Sequence, residues 1–303
     1  MRESHCPDAR THTSARVAVS QLIARDIALK KSARWRTQPA TVIFWPGPPL
    51  HVIYMGMGLS LALHRHYATQ ISISLGTPLR MRTHASKPFA EQQSFVVGPD
   101  IPHQVETVGG AFLGFWSEAH ALATFAHRLR ATSASELPAL PSDLLSALIS
   151  VIRAFWGQVL DEAAGQALLS NILTTLIGPG LPDASPDDPR IARALSQVTP
   201  QFLVEHPRPI SSLAAHVHLS PSRFRHLFRS EMGVSVQSYL RWQRLFVALR
   251  TSVDGASLTE AAHTAGFADS AHLTRVFRAT FGLPPSHIFK NSHFIQIMLG
   301  TGC

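Results

Sequence analysis

Apolar residues recur at two different periods along this chain, and the change from one to the other divides it. From Thr41 to Trp116 short β-prone runs follow one another: Thr41–Phe44, His51–Tyr54, Gln70–Leu75, Leu79–Thr83, Ser94–Val97 and Ala111–Trp116. Breakers separate them at Pro46-Gly47-Pro48, Gly76-Thr77-Pro78, Pro99-Asp100 and Gly109-Gly110. Gln70–Ser74 alternates polar and apolar at period two. Several short strands at this spacing predict a sandwich or small barrel. From Ser117 the pattern turns helical, over Ala119–Arg130, Leu144–Val159 and Glu162–Ile177, the last two amphipathic enough to pack on something. Gly178–Pro189, with two Gly, four Pro and three Asp, reads as a linker. Ile191–Glu205 then reads as the first helix of a last domain.

Within that domain Leu219–Gly233 and Ala268–Gly282 are weak copies of each other. At a shift of 49 positions Phe224 falls on Leu273, Phe228-Arg229 on Phe277-Arg278, and Gly233 on Gly282. Each copy starts at a helix-capping residue, Ser220 or Asp269, and ends on a glycine suited to closing a helix. A short Ala-rich apolar segment precedes each, Ser212–Val217 and Leu258–Ala265, the second opened by a capping box at Ser257-Leu258-Thr259-Glu260. The pattern is helix, tight turn, helix, made twice. Phe224, Leu227 and Phe228 form the buried stripe of the first copy, and Leu273, Val276 and Phe277 that of the second. Ser235–Ser252 reads as one helix between the copies, about 25 Å long. Two helices reading one face of a duplex sit about one turn apart, on the order of 34 Å, and such a spacer can supply that separation.

Composition narrows the partner. The 303 residues are 45% hydrophobic and 15% charged, enough for two packed domains, and the net charge of +8 with a pI near 10.3 favours an anionic partner, nucleic acid first. Between Leu219 and Arg250 stand Arg223, Arg225, Arg229, Arg241, Arg244 and Arg250, against the single acid Glu231. Arginine there can grip phosphate or fork onto guanine. Cys6 and Cys303, at opposite ends, outline no disulfide framework or metal knuckle, which fits a reducing cytoplasm. The longest apolar stretch, Val52–Leu63, is 12 residues and too short for a bilayer of roughly 30 Å. No nucleophile elbow, phosphate-binding glycine loop or His-Glu-x-x-His is present, so no enzyme is expected.

Ile210–Phe289 resembles the DNA-binding domain of the AraC/XylS family of bacterial transcription regulators. The resemblance rests on Leu213-Ala214, Ser220, Phe224, Phe228-Arg229 and Gly233 in the first half. In the second it rests on Ala262, Gly266-Phe267, Asp269, Leu273, Arg275-Val276-Phe277-Arg278, Phe281-Gly282 and Pro284-Pro285. It implies base contacts from Ser222, Arg225, His226, Ser270, Ala271, His272 and Arg275, with Ala271 departing from the usual polar choice. Phosphate contacts are expected from Ser220, Arg229, Arg241, Arg278 and Asn291. Promoter or operator DNA is the implied partner and a small-molecule effector the implied control. RNA polymerase and a second copy of the chain are further candidate partners, in a cytoplasmic, nucleoid-associated setting with no membrane.

The front domain carries Gly58-x5-His64-x-His66-x3-Gln70-x5-Gly76, followed by Pro99-Asp100-Ile101-Pro102-His103, which is similar to the two motifs of the cupin barrel. Metal cupins place a Glu where this chain has Gln70, and losing that carboxylate removes charge an ion needs. His64, His66, Gln70, His103 and Trp116 are therefore expected to be structural or to line an effector pocket, with no metal and no cofactor. The alternative is a cupin-type metal-dependent enzyme or metal-sensing regulator using His64, His66 and His103.

The expected fold class is α+β: an N-terminal cupin-like β-barrel or sandwich with flanking helices, then an all-α domain of two helix-turn-helix motifs joined by a long helix. The expected layout is a basic tail over 1–36, a sensing domain over 37–130 and a helical dimerisation segment over 131–177. The linker over 178–189, the DNA-binding domain over 190–291 and a terminal tail over 292–303 complete it.

Overall fold

The computed structural model describes residues 40–45, 49–58, 60–107, 110–118, 121–178, 186–206 and 208–286, and by backbone alone His120 and 295–299. The expectations for residues 1–36, for Pro46-Gly47-Pro48, for most of the linker and for Asn291 lie outside the described residues. The architecture is α+β, with β-sheets in the first part of the chain and helices in the last.

Six strands form one sheet in the order β10 (Ile295–Leu299), β1 (Ala40–Trp45), β2 (His51–Met57), β9 (Ala111–Ser117), β4 (Thr69–Ser74) and β7 (Ser94–Val97). All neighbours are antiparallel except β10, which runs parallel to β1, so the stretch expected as a terminal tail returns to the β domain. The second sheet has the order β3 (Leu61–His64), β8 (His103–Thr107), β5 (Leu79–Arg82) and β6 (Ala90–Gln92).

Both faces of the larger sheet are covered. On one, Val42, Phe44, Val52, Phe95 and Phe112 share a core with Leu61, Leu79, Met81 and Val105 of the smaller sheet. On the other, Ile43, Ile53, Ile71, Ile73 and Phe115 pack under α1 (His120–Thr132), α2 (Ser142–Phe155) and α3 (Glu162–Ile177) through Leu122, Leu148, Ile152, Leu168 and Ile172. That double cover explains why β4 is buried at all six positions although its sequence alternates. Gln70, Ser72 and Ser74 face the space between the sheets instead of solvent, and Thr69 shares the other side with Ile71 and Ile73. The apolar faces of α2 and α3 are likewise occupied by their own sheet.

The last domain opens with two short helices, α4 (Pro189–Ser196) and α5 (Pro200–Glu205), where the sequence pattern suggested one. The break has a local cause: Pro200 brings no N–H, and the Thr199 side chain accepts from the Phe202 amide to cap a new helix. Then follow α6 (Pro209–His216), α7 (Pro221–Met232), α8 (Val236–Val253), α9 (Leu258–Thr264) and α10 (Ser270–Phe281). Ser220, Ser235, Ser257 and Asp269 each accept an amide hydrogen at a helix start, and the capping box at Ser257 and Glu260 is formed both ways. The 18 residues of α8 span about 27 Å.

The two helix pairs are buried differently. Ile191, Leu203, Leu213, Phe224, Phe228, Tyr239 and Leu240 make a separate core around the first pair. The second pair, through Ala262, Phe267, Leu273 and Phe277, joins Trp242, Phe246 and the inter-sheet core of the β domain. Gly282, at the C-cap of α10, lies against β3: its carbonyl accepts the Ala62 amide at 2.9 Å, and the Ala279 carbonyl accepts the Arg65 amide at 3.4 Å.

Gly233 and Gly282 allow a clean comparison. Both are left-handed, at φ +70° and +74°. A Cβ at Gly233 would meet nothing within 4 Å, whereas one at Gly282 would stand 2.8 Å from the Ala62 carbonyl oxygen and 2.8 Å from His64 Nδ1. Gly233→Ala is expected to cost only the left-handed penalty of about 1–2 kcal/mol. Gly282→Ala is expected to cost more and to loosen the second pair from β3. Urea denaturation of the two variants, followed by near-ultraviolet circular dichroism, measures the difference.

Candidate nucleic-acid interface and the interior histidine cluster

The faces assigned to DNA are exposed, and the stripes behind them are buried. On α7, Ser222, Arg225, His226 and Arg229 are exposed, as is the cap Ser220, while Phe224 and Phe228 are buried and meet edge to face at 5.8 Å. On α10, Ala271, Arg275 and Arg278 are exposed, Ser270 and His272 are half-buried, and Leu273 and Phe277 are buried. The His272 ring stands edge-on to Phe267 at 5.4 Å. Arg241 on α8 is exposed. Arg244, counted with the basic face in the sequence, is not part of it: half-buried, it donates to the Leu203 carbonyl at 3.3 Å and ties α8 to α5. Burial lowers its pKa.

The second helix pair is carried by the β domain. Trp242 of α8, 1% exposed, packs on Tyr67 at 5.4 Å, Phe246 at 5.3 Å and Phe281 at 5.1 Å, with His66 at 6.2 Å. Phe246 in turn meets Phe44 of β1 edge to face at 5.5 Å. Tyr67 is a core aromatic by its sequence setting, but the sequence does not single out Trp242 and Phe246, because an aromatic at helical spacing carries no mark of which core it joins.

All five residues assigned to an effector pocket come together between the sheets. His64, His66 and His103 are 5%, 4% and 0% exposed, with ring centroids 4.2 to 5.6 Å apart. Gln70 Oε1 lies 2.9 Å from His66 Nε2, 2.8 Å from His103 Nε2 and 2.9 Å from the indole Nε1 of Trp116. Each ring turns its Nδ1 to a backbone carbonyl: Ala62 for His64 at 2.8 Å, Ala68 for His66 at 2.9 Å and Ile101 for His103 at 2.8 Å. Burial disfavours the charged form of all three rings. It pushes His64 down to about 3, and lowers His66 and, further, His103.

A half-buried carboxyl sits where the β domain meets the first helix pair. Glu118, just past β9, accepts from Tyr67 Oη at 2.6 Å and from the Leu50 amide at 3.4 Å. It borders a cavity of about 30 Å³ also lined by Thr69, Met232, Val234 and Tyr239. Burial pushes its carboxyl up to about 8, against the two hydrogen bonds that favour the charged form.

Residues 213–291 match the helix-turn-helix domain family. The chain is similar to the arabinose operon regulatory protein of Salmonella typhimurium, 36% identical over 102 residues that make up 33% of this chain and 36% of the relative. The arabinose operon regulatory protein of Escherichia coli is also 36% identical over 102 residues, 33% of this chain and 35% of that one. The chain thus spans only about a third of the length of these curated relatives. Among solved structures, an apo variant of ToxT from Vibrio cholerae has a similar fold, with a TM-score of 0.51 at 10% identity, over 81% of this chain and 98% of that one. The fold likeness extends over 81% of this chain, whereas the family match lies within residues 213–291.

Glu118 gives a pH test. Its folded pKa of about 8 lies above the ordinary 4.5, so between those values the native chain holds a proton that the unfolded chain has released. Stability from this group therefore falls as pH rises through that window. Glu118→Gln is expected to remove the fall, making the variant more stable relative to the natural chain at pH 8.5 than at pH 5. Thermal unfolding at the two pH values reads the difference.

Proposed function

We propose that this chain is a sequence-specific DNA-binding transcription regulator of the AraC kind, reading two adjacent major grooves with α7 and α10. One observation carries the reading: each of two capped helices buries an aromatic or aliphatic stripe and turns a basic, hydroxyl- and histidine-bearing face outward. The likeness of residues 213–291 to a helix-turn-helix domain supports it.

Ser222, Arg225 and His226, and Ser270, Ala271, His272 and Arg275, take the base edges. Ser220, Arg229, Arg241 and Arg278 hold phosphate. The β domain, of the cupin kind, is the controlling part and a small-molecule effector its input. RNA polymerase and a second copy of the chain complete the proposed partners, in the cytoplasm at the nucleoid. Among the described residues no helix is long and apolar enough to cross a membrane. An enzyme built on the histidines has less support, since His103 is sealed from solvent and leaves a substrate no approach.

The test is binding to DNA upstream of the chain's own gene, compared with random duplex. Specific binding is expected to weaken steeply with salt as phosphate contacts release counterions. Arg225→Ala and Arg275→Ala are each expected to cost about 1–3 kcal/mol of specific affinity and to relax preference at one position. Arg244→Ala is expected to lower stability and leave base preference unchanged. Equal affinity for specific and random DNA, with no effect of Arg225→Ala or Arg275→Ala, would refute the reading.

A further inference from the structure

Taken without the helical half, the β domain would leave an open strand edge at β3 in the smaller sheet and another at β1 in the larger. An open edge is a row of N–H and C=O groups in need of partners. The chain from α10 onward supplies partners to both. At the smaller sheet, the Ala62 amide of β3 and the Arg65 amide just past it donate to the carbonyls of Gly282 and Ala279, at 2.9 and 3.4 Å. Those carbonyls stand at the end of α10, where a helix has no acceptors' partners of its own, so each bond satisfies both sides. At the larger sheet, β10 lies parallel to β1 from the pair Ala40–Ile295 to the pair Phe44–Leu299. Residues 283–294 separate the two attachments.

The two fastenings differ in strength. Behind the bonds at β3 stand Leu273, Phe277 and Phe281, packed on the core between the sheets. β10 is five residues long, has β1 as its strand neighbour, and pairs in parallel, the less stable ladder per residue. The antiparallel ladder from β1 to β2 is on the other side of β1 and does not depend on it. The strand can therefore leave without unmaking the sheet. Its return is favoured by attachment: with α10 fixed on β3, a short link keeps β10 near β1 at an effective concentration on the order of millimolar. A short edge strand held in this way opens locally more readily than the sheet it joins.

We propose that β10 is a releasable strap: docked on β1, it fixes the chain on both sides of the Gly282 turn and keeps the end of α10 on β3. Undocked, it leaves that end to its contacts with β3 and the core alone. The strap acts through the residues that follow α10. The first helix pair, with a core of its own, lies outside its reach.

Hydrogen exchange of the full chain, read by mass spectrometry, is compared with that of two variants. One lacks residues 292–303. The other is Gln296→Pro/Ile297→Pro. Neighbouring strand residues direct their N–H groups to opposite sides, so one of these prolines removes a bond to β1. In both variants residues 61–66 and 274–282 are expected to exchange at least about tenfold faster, with α7, β4 and β9 unchanged. Where one variant fails to fold, the other decides. Unchanged exchange over 61–66 and 274–282 overturns the proposal. Uniformly faster exchange, or loss of the fold in both variants, makes β10 an ordinary strand of the sheet and overturns it as well. No DNA enters the measurement, so either result leaves the regulator reading standing.

Discussion

Trp242 is where the two halves of the chain are held together. Its ring is almost wholly buried between Tyr67 of the β domain, Phe246 of its own helix and Phe281 at the end of α10. Aromatic side chains of this size dominate the apolar surface removed from water, and several edge-to-face contacts add orientation to that burial. The rest of α8 follows from it. Val236, Tyr239 and Leu240 at its start belong to the first helix pair, while Leu245, Phe246 and Leu249 further on belong to the core shared with the sheets. One helix thus serves two cores, and its register fixes how α10 is presented.

The two helices proposed to read DNA are therefore not equivalent, although their sequences are weak copies. The first has a core of its own and meets the β domain around Glu118, Tyr67 and a small cavity. The second has no separate core. Its stripe of Leu273 and Phe277 is completed by residues continuous with the inter-sheet interior, and its C-cap is bonded to β3 through backbone. The inter-sheet core includes Leu273 and Phe277 of α10, while the buried stripe of α7 belongs to a separate core. Control by the β domain would then act on the placement of one helix relative to the other, with α8 as the spacer.

How much of this could be read in the sequence depends on whether the cause was local. Caps, stripes and the left-handed glycines of α7 and α10 were legible because each is decided within a few residues. The break at Thr199-Pro200 was equally local and was passed over in favour of one longer periodic pattern. The alternation of Gln70–Ser74 was real but its meaning was not, since a half-exposed strand and one covered on both faces give the same string. Arg244 looked like one more arginine on a basic face until α5 supplied the Leu203 carbonyl. The histidines form a group through the resemblance to the cupin motifs, yet which nitrogen faces inward depends on carbonyls that only the folded backbone brings near.

Gln70 is the residue on which the interior turns, and its chemistry differs from glutamate's in an instructive way. A carboxylate between three imidazoles would be a buried charge with one indole N–H to satisfy it, and several kcal/mol would be at stake. The amide brings no charge to bury, and Trp116 and Ser72 hold both ends of the side chain.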